Sequence, residues 1–286
     1  MNKITSRFWR ALSLTSWVMA SLSFVSMAGA AEEALPSLSY DQTGERLLKV
    51  QANQLFESTD GGAAWTMIRL PHEVAEGRLV TVSATAEHAL YIAGPSIGVQ
   101  RSTDHGETWQ ELNDGLPNQD VTALDVHRHQ PETLYVVIAD DGLYQSEDAG
   151  TTWKKMDSGP AQAVRRLIHS DMEGSMQTGW LYAVSDDAVR LSMDCFCGWR
   201  PTGELDAGRV YDLAYKLDDP EHAYVATEQG LWRSDNGGQE WQQVKGDGPT
   251  FVTLTLAPQG TLYALDREGE LMRSEDQGQT WTPPDA

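Results

Sequence analysis

The chain has 286 residues, and 42 acidic residues against 21 basic ones give it a formal net charge of −21 at pH 7. This charge makes nucleic acid and anionic lipid poor partners, so we expect a cationic partner or none. Two cysteines, Cys195 and Cys197, are too few for a fold stabilised mainly by disulfides. An apolar core must therefore stabilise the protein.

The first 30 residues have the features of a cleavable signal peptide. Three basic residues precede an apolar stretch at 11–25, and Ala28-Gly29-Ala30 offers small residues at a cleavage site. Serines interrupt the stretch, which is shorter than the roughly 20 residues of a spanning helix. We therefore expect cleavage near Ala30, a periplasmic or secreted protein, and no membrane insertion of the mature chain, residues 31–286. An uncleaved anchor is the alternative.

Six segments share one eight-residue pattern, in which Ser is first, Asp or Asn is third and Trp is eighth. Their serines are 40 to 46 residues apart, and the segments are 58–65, 102–109, 146–153, 192–199, 234–241 and 274–281. This spacing is close to the length of one four-stranded blade of a β-propeller.

The letters of the pattern fit a tight turn between two strands. Ser and Asp oxygens accept hydrogen bonds from the turn's own amides, and Gly at the fifth position supplies a positive φ. The Trp is expected to pack as an apolar wedge. A structural role in the turn is therefore assigned to the third residues, which are Asp60, Asp104, Asp148, Asp194, Asn236 and Asp276.

Short runs that favour β structure surround each turn. Residues 134–138 and 142–145 precede one of the turns, and the run 121–126 opens the same unit. Each unit is predicted to hold four antiparallel strands, with the turn between the third and fourth. No linker divides the chain, so the sequence predicts an all-β fold, a single β-propeller domain of six four-stranded antiparallel blades at 31–286. A seventh blade has little room.

These turns resemble the Asp boxes, also called BNR repeats, of a superfamily that includes bacterial sialidases, sortilin-type receptors and the photosystem II assembly factors with their bacterial relatives. The resemblance covers nearly all of the mature chain. It implies the propeller fold, and it implies that the boxes are structural and lie away from any catalytic site. It does not imply a particular activity, because function depends on sites added to a fold.

In a propeller, ligands usually meet the mouth of the central channel, where each inner strand begins. Aligning these starts gives four candidate binding residues, which are Arg78, Asp120, Arg166 and Arg209. Three arginines there would suit a carboxylate or a phosphate. Alternatively, each arginine pairs with a neighbouring acid, such as Asp120, Glu204 or Asp206.

Acidic loops between second and third strands should surround the same mouth. They contain Asp140, Asp141, Asp186, Asp187, Glu228, Asp266 and Glu268. Such a rim could attract a basic protein segment or a divalent cation, although charges in tight turns are more often simply solvated.

An arginine triad at the mouth is also similar to that of sialidases, which bind a sugar carboxylate in this way and use a tyrosine and acids for hydrolysis. The match is incomplete. The Phe/Tyr-Arg-Ile-Pro motif that precedes the first box in sialidases is absent there, and Ile68-Arg69-Leu70-Pro71 follows that box. Tyr211 lies two residues from Arg209, but no acid can be assigned to it. A glycoside hydrolase is thus a second hypothesis.

The fourth box is atypical, because Phe196 replaces the usual Gly and Cys195 and Cys197 flank it. Together with Met193, and with His169, Met172 and Met176 in another loop of the unit, these cysteines could offer soft ligands to copper(I). A disulfide or inert thiols are the other interpretations. A copper-binding accessory protein is thus a third hypothesis.

Other catalytic motifs are missing. The sequence has no P-loop, no Gly-rich dinucleotide fingerprint, no His-Glu-x-x-His and no Gly-x-Ser-x-Gly. His127 and His129 end an inner strand without an evident third metal ligand, which favours surface histidines. We therefore expect no cofactor, and the preferred hypothesis is a non-catalytic scaffold with a protein partner in the cell envelope.

Overall fold

The computed structural model describes residues 35–41, 45–75, 78–85, 89–160, 162–175, 179–193, 196–246 and 248–284. The predicted signal peptide, Asp194, Cys195 and Met176 lie outside these residues. Within them no helix is both long enough and apolar enough to cross a bilayer.

The strands form six separate antiparallel sheets in chain order. The first three sheets are β1 Ser37–Asp41, β2 Arg46–Gln51, β3 Gln54–Ser58 and β4 Thr66–Ile68; β5 Thr81–Ala84, β6 Leu90–Gly94, β7 Gly98–Ser102 and β8 Gln110–Glu111; and β9 Val121–Val126, β10 Leu134–Ile138, β11 Gly142–Ser146 and β12 Lys154–Asp157. A 3₁₀ helix, His72–Ala75, joins the first sheet to the second.

The last three sheets repeat the arrangement. They are β13 Arg166–Ser170, β14 Trp180–Val184, β15 Val189–Ser192 and β16 Arg200–Pro201; β17 Val210–Lys216, β18 Asp219–Thr227, β19 Gly230–Ser234 and β20 Gln242–Gln243; and β21 Phe251–Leu256, β22 Leu262–Asp266 and β23 Leu271–Ser274. In the last sheet the fourth strand is reduced to a single bridge between Arg273 and Thr282.

The first strands of the six sheets form the inner wall of a ring. Each contacts the first strand of the next sheet, from β1 through β5, β9, β13 and β17 to β21, and β21 contacts β1. The six sheets are therefore the blades of one propeller, and the prediction of six blades is confirmed. Among the described residues, the first and last blades each take their strands from one continuous segment and exchange none.

Apolar side chains fill the space between neighbouring blades. The second strands β6, β10 and β14 are buried along their whole length, because neighbouring blades cover both faces of each sheet. At the closure, Leu38 and Leu47 of the first blade pack with Tyr263, Leu265 and Leu271 of the last. Side-chain packing thus contributes to the closure of the ring.

The tryptophan of each box packs against the preceding blade. The indole nitrogen of Trp153 donates a hydrogen bond to the carbonyl of Leu112 at 2.8 Å, and that of Trp109 donates to the carbonyl of Arg69 at 2.9 Å. Trp241 lies among buried residues of the fourth and fifth blades. These tryptophans therefore join consecutive blades.

Strand direction gives the ring two distinct faces. The inner strands begin at one face, near Asp120 and Arg209, which we call the start face. They end at the other, where the Asp-box turns also lie, which we call the box face. The antiparallel order of the strands explains why the boxes lie on this face. The third strand runs in the same direction as the first, so the turn after it lies at the end where the first strand finishes.

Candidate functional site

The central channel is a cavity of about 290 Å³ lined by residues of all six inner strands. Arg166 crosses it near the start face. Its guanidinium donates to the Ser37 hydroxyl at 3.0 Å, the Thr81 hydroxyl at 3.3 Å, the Leu38 carbonyl at 2.9 Å and the Asp212 carboxylate at 3.2 Å. Arg166 therefore links the first, second, fourth and fifth blades and closes this end of the channel.

A second layer of hydrogen bonds holds the carboxylate that receives Arg166. The Thr253 hydroxyl donates to Asp212 at 2.7 Å, and the backbone N–H of Leu254 donates to it at 3.0 Å. The same Thr253 oxygen accepts the backbone N–H of Leu38 at 3.0 Å. Because the Asp212 side chain is only 3% exposed, the ion pair belongs to the interior of the ring.

The residue that occupies the start-face position of the fourth blade is Arg165. The inner strand begins at Arg166 itself, so the position before it, equivalent to Asp120 and Arg209, is one residue earlier than the alignment of the sequence suggested. Successive strand residues point in opposite directions. This one-residue difference sends Arg166 into the channel and leaves Arg165 at the start face.

Arg165 and Arg209 share one acid. Arg165 Nε lies 2.7 Å from one oxygen of Asp186, and Arg209 Nη2 lies 3.0 Å from the other. Arg165 also donates to the carbonyl of Val210 at 2.5 Å, and the N–H of Arg209 donates to Glu228 at 3.3 Å. The partner of both arginines is therefore Asp186, and not Asp120, Glu204 or Asp206 as considered from the sequence.

Arg78 and Asp120 lie on the same face and are exposed. Their backbones are fixed by the loop between β6 and β7, since Arg78 N–H donates to the Pro95 carbonyl at 3.3 Å and Asp120 forms a bridge with Pro95. Among the described residues, neither side chain has a hydrogen bond or an ion pair. Two opposite charges are thus presented to solvent from rigid positions.

Some acids of the start-face loops are held by hydrogen bonds from side chains of their own blade. Asp141 accepts from the Tyr144 hydroxyl at 2.5 Å and from Lys155 at 2.9 Å, and these hydrogen bonds, that of Tyr144 first, hold its pKa below the usual range. Asp187 accepts from the Ser185 hydroxyl at 2.8 Å. Asp140 is exposed and is not engaged in this way.

The Asp boxes on the box face form one repeated set of contacts. In the five boxes whose third residue is described, the Ser hydroxyl donates to the Asp or Asn side chain at 2.7 to 2.9 Å, and the Gly N–H donates to the Ser hydroxyl at 2.8 Å. These residues are Asp60, Asp104, Asp148, Asn236 and Asp276. For Asp104 the hydrogen bonds from Thr108 lower the pKa to about 2.

The fourth box is rebuilt around an aromatic ring. Phe196 has a φ of +53° where most boxes have Gly, and its buried ring packs edge-on against Tyr135 with centroids 5.3 Å apart. Cys197 is disulfide-bonded, so its sulfur is not a thiolate ligand for copper(I). Met193 contacts the guanidinium of Arg200.

A group that the sequence did not single out lies at the box-face end of the channel. His127 follows β9, His169 lies in β13, and Asp171 follows β13; one ligand atom from each falls within 4.8 Å of the others. Both imidazoles are buried, and burial lowers the pKa of His127. The interpretation of His127 as a surface residue was therefore wrong, whereas the His129 side chain is 67% exposed. The sequence offered one signal for this group, because His169 lies near the end of the next predicted inner strand and Asp171 comes shortly after it.

Asp125 faces the channel between these two ends. Its Oδ2 accepts the N–H of His169 at 2.7 Å, and the Ser83 hydroxyl donates to Oδ1 at 3.2 Å. Removal from water raises its pKa to about 6, although these hydrogen bonds and the charge of Arg166 oppose the shift. Among the described acids with a shifted pKa, Asp125 is thus the one whose protonation makes the channel interior most sensitive to pH.

Comparison with known proteins gives two kinds of similarity. An alignment 92 residues long, which covers 28% of this chain, is 34% identical to a probable oligoxyloglucan-reducing end-specific xyloglucanase of Neosartorya fischeri, but it spans only 11% of that enzyme. The solved structure of a GH74 xyloglucanase from Xanthomonas campestris aligns with a TM-score of 0.56 and 22% identity, over 83% of this chain and 36% of the enzyme. This chain therefore covers only a minor part of the length of these two enzymes.

The other similarity extends over most of both proteins. The structure of YCF48 bound to a D1 peptide aligns with a TM-score of 0.62 and 20% identity, covering 88% of this chain and 82% of that one. At such identity the alignment shows a shared fold. Residues 19–181, more than half of the chain, match the family described as photosynthesis system II assembly factor YCF48. The chain belongs to this family of BNR-type β-propellers.

Proposed function

We propose that this protein is a non-catalytic scaffold that binds a segment of a partner protein on the start face. The observation that carries the proposal is the set of hydrogen bonds that holds Arg166 across the channel near the start face, with charged side chains of the neighbouring loops around it. Asp120, Arg165 and Arg209 directly precede the inner strands of their blades on this face, and Arg78 lies three residues before β5. Charged groups held in fixed positions over several blades suit an extended polypeptide segment, because the protein loses little conformational entropy when the segment binds.

The charges of the surface favour a segment that carries both signs. Carboxylates of the partner can pair with Arg78, while its basic groups can pair with Asp120, Asp140 and Glu228. The similar YCF48 structure, which holds a peptide, supports binding of a protein segment by this fold. The overall charge of −21 favours a partner with a basic surface.

We further propose that residues 1–30 direct the protein to the periplasm or the exterior, where the partner is a component of the cell envelope. The basic start, the apolar stretch and the small residues ending at Ala30 support this localisation. N-terminal sequencing of the protein recovered from the native envelope would test it, and a chain that begins at Met1 would contradict it.

A sialidase-type reaction receives less support from the site. It would require three arginines directed at one sugar carboxylate, but four hydrogen bonds hold Arg166 across the channel. The partial similarity to xyloglucanases makes xyloglucan oligosaccharides the other substrates worth assaying. Turnover of either glycoside by the purified chain would contradict a purely scaffolding role.

The binding proposal can be tested by capture from the native envelope with a variant that reverses the charge of the start face. An Arg78→Glu, Arg209→Glu double variant is compared with a Lys154→Glu, Lys216→Glu double variant, in which the same charge change lies on an outer strand and at the box face. A protein that copurifies with the wild type and the control, but not with the start-face variant, would support the proposal. Equal recovery with both folded variants would contradict it.

A further inference from the structure

Two imidazoles and a carboxylate from adjacent blades meet at the box-face end of the channel. We propose that His127, His169 and Asp171 bind one divalent transition-metal ion of the zinc type. One ligand atom from each residue lies within 4.8 Å of the others. Zn–N bonds of about 2.0–2.1 Å place tetrahedral ligand atoms roughly 3.3 Å apart, so binding requires side-chain rotations that bring these atoms closer together.

The composition of the site selects the class of metal. Two imidazole nitrogens and one carboxylate oxygen suit zinc, and also cobalt, nickel or copper(II), better than calcium or magnesium, which prefer oxygen ligands alone. Three protein ligands leave a fourth position for water or for His129, which contacts one of the three ligands. Its Nε2 lies 3.2 Å from Asp171 Oδ2 on an exposed side chain.

Packing and backbone contacts position the two imidazoles. The His169 ring stacks on Tyr135, with centroids 5.5 Å apart and an interplanar angle of 9°. The backbone N–H of His169 donates to the Asp125 carboxylate at 2.7 Å, and the backbone N–H of His127 donates to the Thr133 carbonyl at 2.9 Å. Residues held in this way lose little conformational entropy on binding a metal, which favours affinity.

Existing contacts of the ligands must change when the ion binds. Arg128 Nη1 lies 3.3 Å from Asp171 Oδ2, and the same group donates to the Leu217 carbonyl, which can retain it after the ion displaces it from the acid. His127 Nδ1 accepts the N–H of His129 at 3.2 Å. Coordination by the neutral His127 ring through Nε2 would place its proton on Nδ1, so this long hydrogen bond would be lost.

The test is titration of the full chain with Zn²⁺ by calorimetry, after purification through a tag without histidines. We expect one ion per chain in the wild type. Asp171→Asn and His169→Gln should each weaken binding by at least about 100-fold, the upper end of what the loss of an outer partner of a ligand costs. With Co²⁺ as a second probe, the wild type should show the visible absorption of a bound ion, and Asp171→Asn should not.

The matched control is His222→Gln. His222 also lies between two acids, with Nδ1 2.9 Å from Asp219 and Nε2 3.3 Å from Asp235, but its two nitrogens contact different carboxylates. This variant should bind Zn²⁺ as the wild type does. Circular dichroism without metal identifies any variant that fails to fold, and His129→Gln, whose side chain is exposed, provides a further folded variant with weakened binding.

Absence of stoichiometric Zn²⁺ binding by the folded wild type would overturn the proposal. So would unchanged affinity in folded Asp171→Asn, or a loss of binding in His222→Gln alone. The site lies on the box face, so none of these outcomes depends on whether a protein partner binds the start face.

Discussion

The Nε of Arg166 lies 3.2 Å from Oδ1 of Asp212, and this ion pair inside the channel connects the fourth blade to the fifth. The Asp212 side chain is 3% exposed and that of Arg166 is 17% exposed. Because the pair is shielded from water, removal of one partner leaves the other charge without compensation in the interior. The pair should therefore act on stability and not on ligand binding.

Replacement of Arg166 by Met should lower the free energy of unfolding by about 3 kcal/mol, near the lower end of the cost of breaking a buried ion pair. Met retains most of the side-chain volume but leaves the Asp212 carboxylate unpaired. Urea unfolding followed by tryptophan fluorescence measures the effect. Arg78→Met is the control, and it should change stability by less than about 0.5 kcal/mol because Arg78 is exposed. Similar stabilities of the two variants would show that the channel pair is not structural.

Replacement of Thr253 by Val should destabilise the ring closure by about 2 kcal/mol, because it leaves the buried N–H of Leu38 without its acceptor and removes one donor from Asp212. The shape of the side chain is conserved. Thr255→Val on the same strand is the control, since the Thr255 hydroxyl has no hydrogen bond among the described residues. Thermal unfolding of both variants measures the difference. Equal melting temperatures would mean that the closure does not depend on this hydroxyl.

Asp104→Ala should destabilise the protein at pH 7 and much less at pH 2.5. The hydrogen bonds from Thr108 hold the pKa of Asp104 at about 2 in the folded protein, below the value of about 3.9 in an unfolded chain. The ionised carboxylate therefore contributes stability above about pH 4, and this contribution is lost as the pH falls toward 2. Urea midpoints relative to the wild type at both pH values measure the change.

The fifth box supplies the control for this pH dependence. Asn236 makes the same contacts with Ser234 and the N–H of Glu240, both at 2.9 Å, but its amide does not titrate. The effect of Asn236→Ala should therefore be the same at pH 7 and pH 2.5. A pH-dependent effect at Asn236 would show that the change arises elsewhere in the protein.

Phe196→Gly should destabilise the fourth blade by about 2 kcal/mol, although it restores the residue that most boxes have. Loss of a buried ring costs about 3–5 kcal/mol, whereas relief of a left-handed backbone returns roughly 1–2 kcal/mol. Ala149→Gly, at a φ of +57°, tests the backbone effect with almost no side chain to lose, and it should be neutral or stabilising. A stabilising Phe196→Gly variant would contradict the packing role of this ring.

Much of the fold could be predicted from the sequence because the repeat is local. The Ser, Asp, Gly and Trp of each box lie within eight residues, and their hydrogen bonds close the turn without help from distant parts of the chain. Six such turns, 40 to 46 residues apart, determine the number of blades. The last blade departs from this scheme only in its outer strand, which ends at one bridge to Thr282.

The sites depend on information that a local pattern does not contain. Arg165 and Arg166 are adjacent in the sequence, but one pairs with Asp186 at the start face and the other crosses the channel, because a single residue of strand register reverses the direction of a side chain. His127 and Asp171 belong to different blades and meet only where two inner strands pack together. The sequence by itself thus determined the turns, the strands and the six blades, since those rest on hydrogen bonds between near neighbours. The tertiary structure decided which charged groups face solvent, which close the channel and which could hold a metal, since those depend on the register and packing of strands from separate blades.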